Sequence, residues 1–346
     1  MASAFQILDP ESYEKWDDEI SMLHNCSVFH SIAWLKVLSD SYNYIPCYFA
    51  AYNKDKLASI VPMMDIKSTI TGRRGVSLPF TDYCDPLISK DIKFQDIFDQ
   101  IIKYAKKHNW KYIELRSGDK YLPNAVVSSG FFGHRINLLR KENEIYKLLK
   151  NTFKRNIKKA DTSGVSINFF STIEAVKEFY RLNCITRKRH GLPPQPYRFF
   201  KNIYKHIVSK ELGIVALASY NEKYIAGAVF LHFGEEAIYK FGASDIKYQN
   251  LRPNNLVMWE AIKWYAKKGY KSLCLGRTEI ENHGLRQFKL GMGAEEYIIK
   301  YYRYDIKNGS FVKEPEKVSP FQTKVFGKMP IFALKTIGTL YYRHAG

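Results

Sequence analysis

Residues 219–230 read SYNEKYIAGAVF, and residues 51–62 read AYNKDKLASIVP, which is the same pattern shifted by one residue at its turn. Further along, residues 105–115 (AKKHNWKYIEL) are echoed by residues 266–275 (AKKGYKSLCL), in the same order. Random composition would rarely produce two such pairs at a similar separation. Self-similarity of this kind predicts two copies of one fold.

Both copies show the same predicted order of elements. Apolar runs on either side of a turn predict a strand hairpin. Apolar residues at helical spacing then predict a helix, and a further strand follows it. The predicted elements are hairpins at 47–64 and 214–233, helices at 97–105 and 254–268, and strands at 112–116, 237–243 and 272–275. We therefore expect an α/β fold with mixed sheets.

The composition limits the class of protein. A chain of 346 residues suits two domains, and 46% hydrophobic residues with 25 Tyr and 22 Phe are typical of globular proteins. The first twenty residues lack a signal-peptide pattern, and no apolar run approaches the ~20 residues that cross a bilayer. Five scattered cysteines without a CxxC pair favour reduced thiols over disulfides or zinc. These patterns predict a cytoplasmic protein that holds no metal.

The net charge of +19 points to anionic partners, although a Lys-rich solubility bias would also produce it. Much of the charge lies in residues 144–160, which we expect to form one amphipathic helix. Its predicted apolar face holds Ile145, Leu148, Leu149, Phe153 and Ile157. Because acidic partners at i+4 are scarce, the cations have two interpretations, binding of an anion such as RNA and plain solvation. They are Lys147, Lys150, Lys154, Arg155, Lys158 and Lys159.

The last part of the chain is basic and amphipathic. Residues 320–346 carry Lys324, Lys328, Lys335 and Arg343 and no acidic residue. A segment of this kind can lie on the inner, anionic face of a membrane as a peripheral anchor. The alternative, which we favour, is that it packs back on the first domain and completes its core.

Several motifs stand in a fixed order along the chain. They are FHSIAW (29–34), RNIKKA (155–160) followed by Gly164, TRKRHGL (186–192), YKFGAS (239–244), LRPNNL (251–256), Trp259 and FKLGMG (288–293). Together they resemble the Fem family of peptidoglycan aminoacyltransferases and the related FemAB-like acyltransferases of the GNAT superfamily. The resemblance extends from residue 29 to about Gly293.

This resemblance implies two tandem GNAT-like domains and no coiled-coil arm. Residues 1–145 with 304–346 would form the first domain, and residues 146–303 the second, on the donor side. The implied activity is transfer of an aminoacyl group from tRNA to an amine of a cell-wall precursor. No tightly bound cofactor is implied. The acceptor would be a phosphorylated or lipid-linked sugar compound.

The resemblance also assigns residues to the transfer chemistry. Lys289 would stabilise charge on the reacting carbonyl oxygen, and Phe288 would stack on the terminal adenine of the donor. Asp82 is the predicted general base, ahead of Asp85, whose place before Pro86 has an Asx-turn explanation. His190, His283 and Glu279 are alternative bases.

Acceptor binding is assigned to Arg189 and Arg187, since guanidinium groups match phosphate or carboxylate. Tyr239 would line the acceptor groove. The chain has His190-Gly191-Leu192 where the family has Asp-Gly-Phe, which puts the identity of the acceptor in doubt.

The donor has a second interpretation. Ordinary GNAT enzymes hold the CoA pyrophosphate with a glycine-rich loop, whereas residues 249–254 read QNLRPN. The glycines are missing and Pro253 removes a backbone donor, but Gln249 and Arg252 could still hold a phosphate. The alternatives are therefore a CoA-dependent N-acyltransferase in exopolysaccharide or lipid modification, and a non-catalytic module that binds RNA or membrane.

Overall fold

The computed structural model describes residues 4–53, 56–313 and 320–346. The helices of this part, in chain order, are α1 (Trp16–Ser21), α2 (Ile32–Tyr42), α3 (Phe94–Lys107), α4 (Glu142–Leu148), α5 (Asn151–Thr162), α6 (Ile173–Arg189), α7 (Tyr197–His206), α8 (Pro253–Lys267), α9 (His283–Leu290), α10 (Pro320–Lys328) and α11 (Ile331–Ala345). The strands are β1 (Ala4–Leu8), β2 (Ile45–Pro46), β3 (Tyr48–Asn53), β4 (Lys56–Val61), β5 (Met64–Ile66), β6 (Arg74–Val76), β7 (Tyr112–Leu115), β8 (Ser129–Asn137), β9 (Ser166–Phe170), β10 (Gly213–Tyr220), β11 (Lys223–Phe233), β12 (Glu236–Ser244), β13 (Ser272–Glu279), β14 (Glu295–Asp305) and β15 (Ser310–Val312).

The chain divides into two compact units. The first unit comprises Met1–Phe131, Ile298–Glu316 and Tyr341–Gly346, and the second comprises Phe132–Tyr297 and Lys317–Leu340. The first unit contains an antiparallel sheet in the order β1-β3-β4 and a second group of strands in the order β2-β5-β6-β7-β14. Its helix α3 buries one face, because its apolar residues recur at helical spacing. That face supplies Phe94, Ile97, Phe98, Ile101 and Ala105 to the core.

The second unit is built on strands in the order β8-β13-β12-β11-β10-β9. The pairs from β9 to β12 are antiparallel, whereas β12 and β13 are parallel. Helices α5 and α8 contribute Phe153, Ile157, Leu256 and Ile262 to one core with the sheet. Strands β10 and β11 read as nearly continuous apolar runs because most of their residues are buried.

The two predicted hairpins are confirmed, and they share a local irregularity. The register of β3 and β4 shifts between Ala51 and Tyr52, and that of β10 and β11 shifts between Ala218 and Ser219. Each shift is a β-bulge close to the turn. The turn residues 54 and 55 of the first hairpin lie outside the described residues. The same bulge in both hairpins supports the duplication inferred from the sequence.

The single helix predicted over residues 144–160 is wrong, because two helices occupy this range. Leu149 has extended backbone angles between α4 and α5, and the N–H of Lys150 donates to the carbonyl oxygen of Gly291 at 3.0 Å. The break also turns Leu148 outward, 45% exposed, while Leu149 is buried. A tertiary hydrogen bond thus replaces a helical one.

The two units differ from the predicted domains. Their boundaries fall at Phe131/Phe132 and Tyr297/Ile298 rather than at 145/146 and 303/304. The tail is also divided, since residues 317–340 belong to the second unit and only Tyr341–Gly346 belong to the first. In the first unit, Arg74 Nε donates to the Gly346 carbonyl oxygen at 2.7 Å and Tyr44 Oη donates to that of Tyr342 at 3.0 Å.

Candidate active site

The parallel strands β12 and β13 of the second unit pair over only three residues. Their register runs from Glu236↔Ser272 to Ile238↔Cys274 and stops there. A bulge on β12, where Lys240 is the extra residue opposite β11, increases the local twist. On β13, Gly276 has φ +69°, which glycine adopts at little cost. Both strands therefore bend at the point where they separate, and the opening is our candidate acyl-transfer cleft.

Lys289 lies at this opening. It belongs to α9, whose first turn is capped by the Asn282 side chain accepting from the Leu285 N–H at 3.1 Å. The side chain is 2% exposed, and its Nζ donates to the carbonyl oxygens of Gly276 at 2.9 Å and Arg277 at 3.0 Å. Both carbonyls belong to the stretch of β13 beyond the last pair with β12. The ammonium is thus fixed on the part of β13 beyond its pairing with β12, where it holds the bent strand.

A partly buried polar cluster that the sequence did not reveal includes Arg286, which lies on the same helix. Arg286 donates from Nε and Nη2 to the two carboxylate oxygens of Glu296, at 2.8 and 2.7 Å. This fork lowers the pKa of Glu296. His134 Nε2 is 3.0 Å from the same carboxylate. Burial and the charge of Lys289 lower the pKa of His134, so the neutral ring donates from Nε2 to Glu296.

The other nitrogen of His134 is unusual. The residue is 0% exposed, and its Nδ1 has no hydrogen-bond partner among the residues that the structure describes. The hydroxyl of Thr278, on β13 beyond its last pair with β12, is also buried without a hydrogen-bond partner among the described residues. No sequence signal pointed to His134, because its partner Glu296 is 162 positions away.

Phe288 and Tyr239 are both half-buried in the second unit. The Phe288 ring packs on the core and lies 5.7 Å from the ring of Phe153. Tyr239 follows the last residue of β12 that pairs with β13, and its hydroxyl lies against Gly242, where an added Cβ would come within 1.7 Å. Burial raises the pKa of Tyr239 to about 12, so it remains a phenol at neutral pH and can donate a hydrogen bond.

The predicted acceptor arginines lie at the end of α6. Thr186 on this helix ties it to β12, since its hydroxyl donates to the Ser244 carbonyl at 3.1 Å and accepts from the Ser244 N–H at 2.9 Å. Arg187 Nε donates to the Pro193 carbonyl at 3.2 Å. Arg189 is exposed, and its Nη2 is 3.3 Å from His190 Nε2. Burial and Arg189 lower the pKa of His190.

Gln249 and Arg252 come together on the surface before α8. Arg252 has φ +59°, and its N–H donates to the Gln249 carbonyl at 3.1 Å. Both side chains are exposed, and Pro253 occupies the first helical position. The two side chains are therefore accessible to an anionic group.

Asp82 belongs to the first unit, whereas Lys289 belongs to the second. Tyr301 Oη donates to the Asp82 carbonyl oxygen at 2.8 Å. Leu78 and Phe80, in the same loop, have φ of 52° and 63°, a region that costs energy for such residues. The Asp85 carboxylate accepts from the Ser117 hydroxyl, a contact that supports a structural role for Asp85.

The cations around α5 are mostly exposed, but they do not form one helical stripe. Lys147 lies on α4, and Lys150 stands at the break. Lys154 Nζ donates to the Lys147 carbonyl at 3.1 Å and lies 5.3 Å from the centre of the Tyr146 ring. The exposed members are Lys147, Lys150, Arg155, Lys158 and Lys159.

The described residues contain neither a group of metal ligands nor a helix that could span a membrane. Within 4–53, 56–313 and 320–346, no three His, Cys, Asp or Glu side chains are grouped as metal ligands. Over the same ranges, each helix is too short or too polar to span a bilayer. The five cysteines, all within these ranges, form no disulfide bond.

The sequence of part of the chain matches a known domain family. Residues 148–297 match the acetyltransferase (GNAT) domain family. Most of the second unit is therefore similar in sequence to GNAT acetyltransferase domains. GNAT domains use acyl-CoA as co-substrate, and the match confirms the predicted enzyme class, an acyltransferase. A search of curated proteins found no match.

Structural comparison confirms the predicted tandem GNAT fold. The chain is similar to FemX, with a TM-score of 0.69 and 12% identity over 87% of this chain and 97% of that one. It is also similar to a tandem GNAT protein from the clavulanic acid biosynthesis pathway, with a TM-score of 0.57 and 7% identity over 91% and 100%. A third similar structure is the C-terminal domain of a putative lysylphosphatidylglycerol synthetase from Agrobacterium fabrum, with a TM-score of 0.57 and 12% identity over 84% and 91%. Such identities establish the Fem-like fold alone.

Proposed function

We propose that this GNAT-type enzyme transfers an aminoacyl or acyl group to an amine of a cell-wall precursor or another glycoconjugate. The proposal rests on one observation, the Lys289 ammonium bound to the Gly276 and Arg277 carbonyl oxygens, on the part of β13 beyond its last pair with β12. When the amine attacks, a C–N bond forms and negative charge builds on the carbonyl oxygen. The C–O or C–S bond to the donor then breaks and the amine loses a proton. A preorganised cation stabilises the charged stage most.

The other site residues have proposed roles around this step. Asp82 is proposed to take the amine proton. Phe288, which is half-buried, would stack on a donor base, worth ~1–3 kcal/mol per base. Arg189, Arg187 and Tyr239 would hold the acceptor, because Arg189 is exposed and Tyr239 can donate a hydrogen bond.

The preferred donor is aminoacyl-tRNA. The exposed cations Lys147, Lys150, Arg155, Lys158 and Lys159, together with Lys154, would contact its phosphates, which makes binding strongly dependent on salt. The runner-up donor is a CoA thioester, which the GNAT match favours. The exposed Gln249 and Arg252 would then hold its phosphates in place of the missing glycine loop. Both donors are cytoplasmic compounds, so we place the enzyme in the cytoplasm.

The test is a product analysis by mass spectrometry. The purified protein is incubated with charged tRNAs or CoA thioesters and with amino-sugar or lipid-linked acceptors. We expect an acylated acceptor, formed at least ~100-fold more slowly by Lys289→Met, the scale of losing one oxyanion partner. The matched control is Lys223→Met, at an exposed position on β11. Absence of product with every donor, or wild-type turnover of folded Lys289→Met, would refute the proposal.

Variants with altered charge distinguish the two candidate donors. Lys158→Glu with Lys159→Glu should weaken binding of charged tRNA at least ~tenfold at low salt and leave CoA thioester binding unchanged. Arg252→Ala should show the opposite pattern. Tight binding of CoA thioesters with no response to charged tRNA would make the runner-up the donor.

A further inference from the structure

Helices α10 and α11 expose apolar side chains among cations. Phe332 is 74% exposed, Leu340 is 64% exposed and Val325 is 42% exposed. Lys324, Lys328 and Lys335 are exposed beside them, and residues 320–346 contain no acidic residue. We call these six residues the tail surface. Isolated exposed apolar residues are ordinary, but several large ones among exposed lysines on two consecutive helices are not.

The inner faces of both helices are defined by contacts with residues 188–194. An added Cβ on Gly327 would lie 3.9 Å from the Lys188 carbonyl oxygen, and one on Gly338 would lie 2.0 Å from that of Pro194. Residues two apart on a helix point to nearly opposite sides. Val325 therefore faces away from the side of Gly327, and Leu340 faces away from the side of Gly338. Val325 and Leu340 thus lie on the outer faces of α10 and α11. Lys324 and Lys335, three residues before Gly327 and Gly338, lie nearer the contacting sides, and Lys335 Nζ is 5.3 Å from the centre of the Tyr180 ring.

We infer that the tail surface docks on an anionic membrane. A bilayer interface takes both components, since apolar side chains insert at the acyl boundary while lysines stay among the headgroups. A nucleic acid backbone would use the three lysines but would gain little from Phe332 and Leu340. The exposed arginine at the end of α6, Arg189, lies within the segment that α10 contacts and adds to the positive charge. This inference does not depend on the donor or the acceptor of the reaction.

Vesicle sedimentation of the full chain tests the docking. We expect binding to vesicles of phosphatidylcholine with phosphatidylglycerol, and much weaker binding to phosphatidylcholine alone. Phe332→Ser with Leu340→Ser should lower the partition coefficient at least ~tenfold. Lys324→Glu with Lys328→Glu should lower it at least as much at low salt. The matched control is Lys158→Glu with Lys159→Glu on α5, which should change it less than ~twofold.

A second variant gives a positive signal from the same surface. Phe332→Trp should show blue-shifted tryptophan emission with anionic vesicles and unchanged emission with neutral ones. Docking is refuted if the double serine variant, folded by circular dichroism, binds as well as the wild type, or if no vesicle binds. If RNA displaces the protein from the vesicles and the Lys158→Glu, Lys159→Glu variant no longer binds them, the partner is a nucleic acid instead. We also measure turnover of a soluble amine acceptor by the double serine variant, and we expect it to be unchanged. This measurement distinguishes a failure of docking from a failure of the proposed reaction.

Discussion

Lys289 Nζ lies 2.9 Å from the carbonyl oxygen of Gly276, at the residue where β13 bends away from β12. A charged side chain that is 2% exposed must be compensated by acceptors, and two backbone carbonyls supply part of that compensation. One group therefore fixes the shape of the opening and supplies positive charge beside it. The two contributions make separate predictions.

Lys289→Met should lower the free energy of unfolding by ~1–3 kcal/mol, because it deprives buried carbonyl groups of their donor. Urea unfolding measures the change, with the m-value expected to stay constant. Lys223→Met, at an exposed position, should stay within ~0.5 kcal/mol of the wild type. Equal stability of the two variants would show that the carbonyls do not need the ammonium.

Glu296→Ala should destabilise the protein by ~1–3 kcal/mol, because the buried Nε2 of His134 then loses the carboxylate to which it donates. Glu178→Ala is the matched control, since it removes an exposed ion pair with Arg181 at 2.9 Å. Such pairs are worth ~0–1 kcal/mol. Thermal unfolding compares the variants, and a smaller effect of Glu296→Ala than of Glu178→Ala would contradict the expectation.

Gly242→Ala should displace Tyr239, because the new Cβ would come within 1.7 Å of the tyrosine hydroxyl. We expect a loss of ~1–3 kcal/mol from overpacking. Adding Tyr239→Ala should recover part of it, which a double-mutant cycle would detect as coupling. Strictly additive effects would mean that the tyrosine moves aside freely.

The free energy of unfolding should decrease as the pH is lowered below about 6.5. Burial lowers the pKa of His30 and of His134 from the ordinary value of 6.5, so both rings are neutral when folded. Below that value the unfolded chain binds more protons than the folded chain, and protons therefore favour unfolding. Urea unfolding from about pH 7.5 to about pH 5 should show this decline. His134→Gln should make it shallower, and an unchanged slope would reject the contribution of this residue.

Gly338→Ala should loosen α11, since the added Cβ would meet the rigid backbone oxygen of Pro194 at 2.0 Å. Limited proteolysis should then cleave the tail faster. Thr339→Ala, at an exposed position on the same helix, should leave cleavage unchanged. Equal cleavage of both variants would argue against close packing at Gly338.

Elements defined by local patterns were predictable from the sequence. The predicted helix 254–268 compares with α8, Pro253–Lys267, and the predicted strand 214–220 compares with β10, Gly213–Tyr220. Both have strong periodicity or long apolar runs, which depend on neighbours in the chain. The order of the motifs pointed to Lys289 and Phe288 as site residues. Their roles remain predictions.

Features that depend on distant partners could not be predicted. The break at Leu149 needs the Gly291 carbonyl, and the buried pair of His134 and Glu296 joins two different strands. Helical periodicity continues through Leu149, so the pattern alone favoured one helix. Nothing near His134 in the sequence indicates an acidic partner.

The end of the chain is held by its main chain. Arg74 binds the carbonyl oxygens of His344 and Gly346, and Tyr44 binds that of Tyr342. These donors recognise peptide oxygens, which every amino acid supplies. These hydrogen bonds therefore do not depend on which side chains His344, Gly346 and Tyr342 carry. During evolution, substitutions at the exposed positions of α11, such as Leu340, can therefore accumulate while these main-chain bonds stay in place.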